Sequence, residues 1–318
     1  MILVSYWMDF YNNYEKILSQ LPSNKTSYCI FQLGYHVERA WRLDEVFKQY
    51  QDVQNNLNSK SINFIFLANS QAEADLLKTK GLNSVFCNQN AFLDESRYKV
   101  LETKKKYDSL YLARITPIKR QELASEIKSL RLIGNYFDVE KNYFDERINS
   151  LKNATWKRKI WAFNVYKHMA EAHTGLCLSS EEGAMFVSTE YLLCGLPVVS
   201  TESLGGRDTY YHDDYVRISK DCPKEVYKAV RELKNMDINP NYVRYRTIQI
   251  MKEHRLVFIK LIQGIIDKEG FERDFMKEWP KVFTHKLGLR TSLPYGIAKH
   301  RSLTEDSWNA LNRKRIAA

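Results

Sequence analysis

The sequence predicts an α/β protein of two domains, in which helices cover both faces of parallel sheets. With 318 residues, the chain exceeds the usual length of a single domain and can bury a substantial core. Its apolar runs are short, rich in aromatic and β-branched residues, and alternate with polar stretches of helical length. This alternation is typical of parallel sheets that are buried on both faces.

The N-terminal third contains three predicted strands and two predicted helices. The strands begin at Tyr28, Ile62 and Ser84. A polar amphipathic helix is predicted from about Glu38 to Asn58. A second helix begins at Ser70-Gln-Ala-Glu, which is a capping-box pattern, and ends at Gly81.

A polar, lysine-rich segment over 96–106 is predicted to link the two domains. Beyond it, strands are predicted over 109–113, 131–134, 175–178 and 196–200, with helices after Pro117, near 165–172 and before Gly195. We therefore predict an N-terminal domain over 1–103, a C-terminal domain over 104–270 and a helical tail over 271–318. An apolar stripe predicts that this tail packs back toward the N-terminal domain, although Pro280 interrupts it; its members are Phe271, Phe275, Trp279 and Phe283.

Composition favours a cytoplasmic protein with reduced thiols. Apolar residues make up 44% and charged residues 27% of the chain, as in ordinary globular proteins. No apolar run is long enough to cross a membrane, and the N-terminus reaches Asp9 without the pattern of a signal peptide. The five cysteines are scattered and form no CxxC pair, so nothing indicates a zinc site or a disulfide framework. We expect them to be small buried side chains.

A net charge of +10 predicts attraction to an anionic partner. The chain has no zinc-finger, helix-turn-helix or RNA-binding aromatic motif, so nucleic acid is discounted as that partner. Basic runs such as 104–106 and 157–159 are more typical of solvated faces than of binding sites. An anionic membrane surface is a further candidate, contacted by Arg39, Arg42, Lys48 and the tail residues Arg313 and Arg315. A basic surface without a partner is the alternative.

The stretch from Glu182 to Ser200 carries the most chemical information. Glu182-Gly-Ala-Met-Phe-Val-Ser-Thr-Glu190 leaves a strand, turns at Gly183 and enters a helix that ends at Gly195. Amides at the start of such a helix suit a diphosphate. Because Glu190 follows Glu182 by just over two helical turns, two carboxylates flank this anion site. A nucleotide sugar, with ribose at one end and hexose at the other, fits this arrangement.

Two cations follow a neighbouring predicted strand. Arg114-Ile-Thr-Pro-Ile-Lys119 leads from that strand into a predicted helix, and ligands of parallel sheets bind at such strand ends. Arginine offers phosphate a planar fork, whereas lysine offers a compact point charge. Taken singly, each cation is typical of a surface charge and each glutamate of a helix-start or solvent-facing residue. The combination favours a donor site.

These elements together resemble the retaining glycosyltransferases of family 4, which have the GT-B fold of two Rossmann-like lobes. The resemblance covers roughly residues 60–235 and consists of the paired glutamates followed by Cys-Gly-x-Pro-Val-Val, the Arg–four residues–Lys element, and the loop Ser203-Leu-Gly-Gly-Arg207-Asp208. In that family the first glutamate contacts the transferred sugar, and the second binds the ribose hydroxyls. The two cations neutralise the diphosphate as it leaves.

The resemblance assigns these roles to numbered residues of this chain. Glu182 would contact the sugar and Glu190 the ribose, while Arg114 and Lys119 would hold the diphosphate in place of a metal ion. Backbone amides near the phosphates would come from the donor-binding stretch, which contains Gly183, Ala184, Met185, Phe186 and Val187. Arg207 and Asp208 are the candidates in the Gly-Gly loop, on the acceptor side of the donor.

The sequence departs from the family in two places. Met185 stands where many members have a second glycine. The N-terminal lobe is about half the usual length, and Tyr6-Trp-Met-Asp-Phe-Tyr, without a glycine, stands where the family has a glycine-rich loop after its first strand. His36, in Gly34-Tyr-His36, is the candidate for a catalytic histidine on the acceptor side, although a lone histidine is more often structural.

The leading hypothesis is an enzyme that moves a sugar from a nucleoside diphosphate to a saccharide or lipid-linked glycan with retention of configuration. We expect no metal or other cofactor, because Asp213 and Asp214 are adjacent rather than a DxD pair at a strand end. The alternative is a non-catalytic GT-B-like module that binds nucleotide or glycan, which the short N-terminal lobe favours. A nucleotide-dependent oxidoreductase is disfavoured because no GxGxxG follows a predicted strand.

Overall fold

A computed structural model describes residues 1–57, 60–148, 151–161 and 164–282. The strands in this part of the chain are β1 (Ile2–Tyr6), β2 (Ser27–Gln32), β3 (Ile62–Ala68), β4 (Ser84–Phe86), β5 (Tyr107–Leu112), β6 (Leu130–Ile133), β7 (Ala154–Lys157), β8 (Ala172–Cys177), β9 (Val198–Thr201) and β10 (Val216–Ser219). The α-helices are α1 (Trp7–Tyr11), α2 (Tyr14–Gln20), α3 (Ala40–Asn55), α4 (Gln71–Thr79), α5 (Lys141–Tyr143), α6 (Val165–Ala170), α7 (Phe186–Leu193), α8 (Pro223–Asn235), α9 (Pro240–Lys268) and α10 (Phe275–Val282).

The chain divides into two compact units. Among the described residues, unit 1 contains Met1–Leu93 together with residues 258–282, and unit 2 contains Asp94–Val257. Each unit has a wholly parallel sheet, with strand order β1-β2-β3-β4 in unit 1 and β10-β9-β8-β5-β6-β7 in unit 2. Helices pack against both sheets, so the predicted α/β fold class is confirmed.

The core of unit 1 is aromatic. Trp7 of α1 lies edge-on to Phe31 at a centroid distance of 5.0 Å, and it contacts Phe66 at 5.2 Å. Every residue of β2 is buried, which explains why this strand reads as a continuous apolar run. The indole N–H of Trp7 donates a hydrogen bond to the side-chain oxygen of Gln49 on α3 at 2.6 Å, so the one polar group of this buried ring is paired.

The predicted N-cap at Ser70 is present, and the Glu73 side chain reaches back to the amide of the residue before Ser70. The Ser70 hydroxyl accepts the Glu73 amide at 3.1 Å, and the Glu73 carboxylate accepts the Asn69 amide at 2.7 Å. Both contacts satisfy amides close to the start of the helix, which is why the sequence pattern located this helix start within a residue.

The strands of unit 2 end in register, which brings their following loops together. Leu112 at the end of β5 pairs with Ile133 of β6, and Ile133 pairs with Lys157 of β7. On the other side, Cys177 of β8 pairs with Ser200 of β9. The loops after β5, β8 and β9 therefore leave the sheet at the same end, where ligands bind in parallel α/β sheets.

The helix predicted after Pro117 is wrong. The segment forms two short 3₁₀ turns, Pro117–Lys119 and Gln121–Ala124, separated by Arg120 in the left-handed conformation with φ of 50°. The Arg120 guanidinium donates to the Leu178 carbonyl at 2.6 Å and to the Thr201 hydroxyl at 2.8 Å. These partly buried contacts stabilise a backbone break that a helix would not allow, and sequence periodicity does not report them.

The described part of the predicted tail lies in unit 1. Trp279 of α10 contacts Phe258 of α9 at a centroid distance of 5.9 Å and Phe92 at 6.5 Å. Phe271 precedes this helix and is exposed. Phe283, Arg313 and Arg315 lie outside the described residues. In the described ranges, no helix combines the length and the apolar character needed to span a bilayer.

Candidate active site

The centre of the site in unit 2 is a pair of opposite charges from two strand-end loops. The Lys119 ammonium contacts the Glu182 carboxylate at Oε1, and both side chains are mostly buried. The Ser179 hydroxyl donates to the same oxygen. The Lys119 carbonyl, in turn, accepts the hydroxyl of Tyr111. The structure therefore brings together two predicted site residues that lie 63 positions apart.

Arg114 lies at the same end of the sheet with a different partner. Its guanidinium Nε is 3.2 Å from Glu140 Oε1, and its carbon atom Cζ lies 5.2 Å from the ring centre of Phe137. The Arg114 side chain is 50% exposed. The structure thus places Arg114 against the turn at 137–140, whereas Lys119 contacts Glu182.

The loop after β8 is joined to the Gly-Gly loop after β9 by backbone hydrogen bonds. The Glu182 amide donates to the Leu204 carbonyl at 3.1 Å, and the Gly206 amide donates to the Gly183 carbonyl at 2.9 Å. Gly205 has a φ of 96°, and a Cβ atom there would lie 1.8 Å from the Glu182 carbonyl oxygen. Only glycine fits this position, so Gly205 fixes the backbone that carries Glu182.

Met185 occupies a backbone conformation that favours glycine. It is the N-cap of α7 and has a φ of 49°. For a residue with a Cβ atom this left-handed conformation costs roughly 1–2 kcal/mol. The Met185 side chain is buried, with its sulfur 3.8 Å from Arg207 Nη1, and this burial offsets the strain. The backbone at the family's second-glycine position therefore has a glycine-like conformation despite the methionine.

Glu190 of α7 lies beside a tyrosine that sequence analysis did not identify. The buried Tyr98 hydroxyl donates to Glu190 Oε1 at 2.7 Å. Burial raises the pKa of Glu190 above its ordinary value of 4.5, while the Tyr98 hydrogen bond and the charge of Arg97 oppose this rise. Arg244 of α9 holds the Tyr98 carbonyl at 2.5 Å. No motif marks Tyr98, because its role depends on this contact 92 residues away.

The two candidates in the Gly-Gly loop have different surroundings. Arg207 is buried and donates to the Ser179 carbonyl at 2.8 Å and to the Thr201 carbonyl at 2.5 Å. It thereby ties the end of β9 to the loop that carries Glu182. Asp208, the next residue, is exposed. Pairing of the Nη1 and Nη2 groups of Arg207 with these carbonyls offsets part of the cost of burying the charge.

Three further stretches complete the set of predicted residues. Gly183 and Ala184 are buried in the loop, and Phe186 and Val187 are half-buried in the first turn of α7. His36 is buried in unit 1, apart in the chain from these residues.

Among the described residues, no group of three or more His, Cys, Asp or Glu side chains is placed to hold a metal ion. The five cysteines are free, and Cys222 is the one that is not fully buried.

The loop that carries His36 is anchored by a buried carboxylate. Glu73 Oε1 accepts the Val37 amide at 3.2 Å. Burial raises the pKa of Glu73 to about 7, against the opposing effect of its backbone hydrogen bonds. Between the ordinary value of 4.5 and about 7, the folded state therefore holds a proton that the unfolded state has released. The free energy of unfolding must fall as pH rises through this window.

We expect Glu73→Gln to remove this pH dependence. The pKa difference corresponds to about 3 kcal/mol of stability present at pH 4.5 and lost by pH 7.5. Denaturant unfolding of both proteins across this pH range gives the free energy of unfolding as a function of pH. The effect is the difference between the slopes of the two plots. Exposed Glu15→Gln, on α2, is the matched control and should leave the slope unchanged. Parallel wild-type and Glu73→Gln curves would contradict the assignment.

Solved glycosyltransferases are similar to this chain in structure. HepE from Anabaena, in complex with UDP, aligns with a TM-score of 0.61 and 13% identity over 80% of this chain and 81% of that chain. Sucrose-phosphate synthase from Thermosynechococcus elongatus aligns with a TM-score of 0.58 and 14% identity over 84% of this chain and 73% of that one. TarM from S. aureus, in complex with UDP and Fondaparinux, has a TM-score of 0.55 and 15% identity over 89% of this chain and 55% of that one.

No protein-family model matches the chain, and no curated protein matches its sequence. At 13–15% identity the structural similarity concerns the fold. The two parallel sheets and the helices that pack against them agree with that architecture. The protein therefore has the fold of the GT-B glycosyltransferases.

Proposed function

We propose that this protein transfers a sugar from a nucleoside diphosphate sugar to a saccharide or lipid-linked glycan. The observation that carries the proposal is the Lys119–Glu182 pair at the strand ends of unit 2, directly before the N-terminus of α7. A cation, a carboxylate and a helix start are the groups that a sugar diphosphate requires. HepE, the structurally similar protein, was solved with UDP and glucose.

Glu182 and Lys119 divide the reacting end of the donor between them. Among the described residues, Lys119 and Ser179 both contact Oε1 of Glu182, which leaves Oε2 to accept a sugar hydroxyl. The Lys119 ammonium has three N–H donors, so it can contact Glu182 and a phosphate oxygen together. Arg114, half exposed, supplies a second cation once it leaves Glu140. Glu190 accepts the ribose hydroxyls in place of Tyr98 or beside it.

In the proposed reaction the bond between the sugar carbon and the diphosphate oxygen breaks, and the electron pair stays on that oxygen. Lys119 and Arg114 stabilise the charge that develops there. The acceptor hydroxyl attacks from the face that the diphosphate leaves, and its proton passes to the departing phosphate oxygen. Attack on that face retains the configuration of the sugar, and no side chain forms a covalent intermediate.

We further propose that the transfer needs no metal ion, because Lys119 and, once it leaves Glu140, Arg114 supply two cations for the diphosphate. EDTA should then leave the rate of transfer unaltered. Loss of activity on chelation, with recovery on addition of Mg²⁺ or Mn²⁺, would contradict this part of the proposal. His36 is buried, so a catalytic role in acceptor activation requires the loop at 34–37 to open.

The alternative of a non-catalytic binding module rests on the small sheet of unit 1, which has four strands among the described residues. Such a module would bind a donor without consuming it. Release of free nucleotide from the donor, with or without an acceptor saccharide, separates the two functions. Turnover supports the enzyme, whereas tight donor binding without release supports the module.

The direct test of the proposed function is a thermal-shift screen with sugars linked to UDP, GDP, ADP, TDP and CMP. A ligand that binds only the folded protein stabilises it by about 2.7 kcal/mol when its concentration is 100 times Kd. We expect one nucleotide class to raise the melting temperature, and UDP sugars are the first candidates. If no nucleotide sugar shifts the melting temperature of the folded protein, the donor-site proposal fails.

A further inference from the structure

An exposed aromatic and basic surface lies on unit 2 beside the candidate site. It is formed by the end of β7 and the segment that follows, with the sequence Trp156-Lys-Arg-Lys-Ile-Trp161. Trp156 is 38% exposed, Trp161 is 77% exposed, and the three basic residues between them are exposed as well. We call residues 156–161 the WKRKIW segment.

The N-terminal half of the WKRKIW segment is held firmly by neighbouring groups. Trp156 donates its indole N–H to the Gly134 carbonyl at 3.0 Å and contacts Phe144 at a centroid distance of 4.6 Å. Arg158 donates to the Asn135 side-chain oxygen at 2.9 Å. These contacts fix the backbone, so the basic side chains and the outer part of the Trp156 ring are presented from a rigid strand end.

The same contacts bring a second exposed apolar group to this surface. The loop at 134–140 follows β6, pairs with the WKRKIW segment through Gly134 and Asn135, and presents Phe137 and Val139 outward. Phe137 is 58% exposed and Val139 is 91% exposed. Asp138 between them is an exposed acidic residue, whereas Glu140 is paired with Arg114.

Charge distribution along the chain matches an anionic partner. From 151 to 170 the sequence contains five Lys or Arg residues and no Asp or Glu. Because β7 is the edge strand of the sheet, charged residues there also prevent edge-to-edge pairing. That role explains the lysines but not the exposure of two tryptophans. Tryptophan rings and basic residues side by side are typical of the membrane–water interface.

We infer that the WKRKIW segment, together with Phe137 and Val139, docks this protein onto an anionic lipid bilayer. Basic side chains contact the headgroups, and the aromatic and apolar side chains enter the interface between headgroups and acyl chains. The sequence alone assigned such contact to other residues, namely Arg39, Arg42, Lys48 and the tail residues Arg313 and Arg315. The surface proposed here lies on unit 2. This inference is independent of the transfer reaction, since it needs no donor.

The position of this surface relates it to the candidate site. Lys157, the last residue of β7, pairs with Ile133 of β6, and Ile133 pairs with Leu112 at the end of β5. The WKRKIW segment therefore leaves the sheet at the end that carries Lys119 and Glu182. Docking through it turns that end of unit 2 toward the lipid headgroups, where a lipid-linked acceptor would present its glycan.

Sedimentation with vesicles tests the inference on the full chain. At low salt, the protein should co-sediment with vesicles of phosphatidylcholine and phosphatidylglycerol but not with phosphatidylcholine alone, and high salt should release it. The double variant Lys157→Glu/Lys159→Glu should reduce binding roughly tenfold or more, since each basic residue near the surface contributes separately. Trp161→Ala should reduce it several-fold through lost interfacial contact.

Matched controls separate local docking from general charge attraction. Lys224→Glu/Lys228→Glu, at exposed positions of α8, makes the same change in net charge and should retain most of the binding. Trp41→Ala removes an equally large exposed ring from unit 1, 59% exposed, and should have little effect. Unchanged melting temperatures confirm that the variants are folded.

Three results would overturn the inference. The first is no binding of the unaltered protein to anionic vesicles at low salt. The second is an equal loss of binding in the two double variants. The third is binding of soluble heparin as strong as that of vesicles, with Trp161→Ala unchanged in both, which would identify a polyanion surface that does not enter a membrane.

Discussion

Lys119→Ala is expected to slow sugar transfer by roughly 100- to 1,000-fold, the usual effect of removing one group that stabilises developing charge. The affinity for the free nucleotide should fall much less, because charge on the diphosphate grows toward the transition state. Single-turnover rates with saturating donor, beside a binding titration with the nucleoside diphosphate, measure the two effects separately. The position of Lys119 against Glu182 makes this residue a sharper target than the half-exposed Arg114.

Removing Lys119 also leaves the mostly buried Glu182 without its counter-charge, so stability must be measured in parallel. Lys119→Arg retains the charge but not the compact point geometry, and intermediate activity is expected from it. Lys224→Ala, at an exposed position of α8, is the matched control for loss of one positive charge. An equal loss of transfer and of nucleotide affinity in Lys119→Ala would assign Lys119 to ground-state binding alone.

The sequence predicted the region around Lys119 and Glu182 because the information for it is local. Glu182, Lys119 and the Gly-Gly loop come directly after strands, and strands of a parallel sheet end together, so local patterns were enough to place them side by side. Gly205 is a local feature of the same kind. Because it has no Cβ atom, the loops after β8 and β9 can approach each other closely. Patterns in a sequence report these features because each of them is local.

Features that depend on distant contacts could not be predicted in the same way. Arg120 is stabilised in a left-handed conformation by carbonyl and hydroxyl groups 58 and 81 positions away, and this breaks the predicted helix. Arg114 was predicted from its place after a strand and from its resemblance to the Arg–four residues–Lys element, whereas its pairing with Glu140 depends on the conformation of a turn that no motif describes. Met185 required the structure to show that a methionine can hold a glycine-like backbone.

Glu190→Ala is expected to weaken nucleotide binding about 10- to 150-fold, because hydrogen bonds to a charged group contribute about 1.5–3 kcal/mol. Isothermal titration with the nucleoside diphosphate measures the loss, and the same titration with free diphosphate should show little change if Glu190 serves the ribose. Unchanged affinity for the nucleotide in a folded Glu190→Ala protein would remove this residue from the site.

The pH dependence of binding gives a second, independent test of Glu190. Its pKa is raised by burial, so the carboxylate takes up a proton at a higher pH than an exposed glutamate does. The midpoint of the fall in affinity on acidification should therefore lie above the ordinary glutamate value of 4.5, since a protonated carboxyl accepts the ribose hydroxyls poorly. Tyr98→Phe deletes a hydrogen bond that lowers this pKa and should move the acid limb to higher pH. In Glu190→Gln the limb should disappear, because no group at that position titrates; a limb that persists there belongs to another residue.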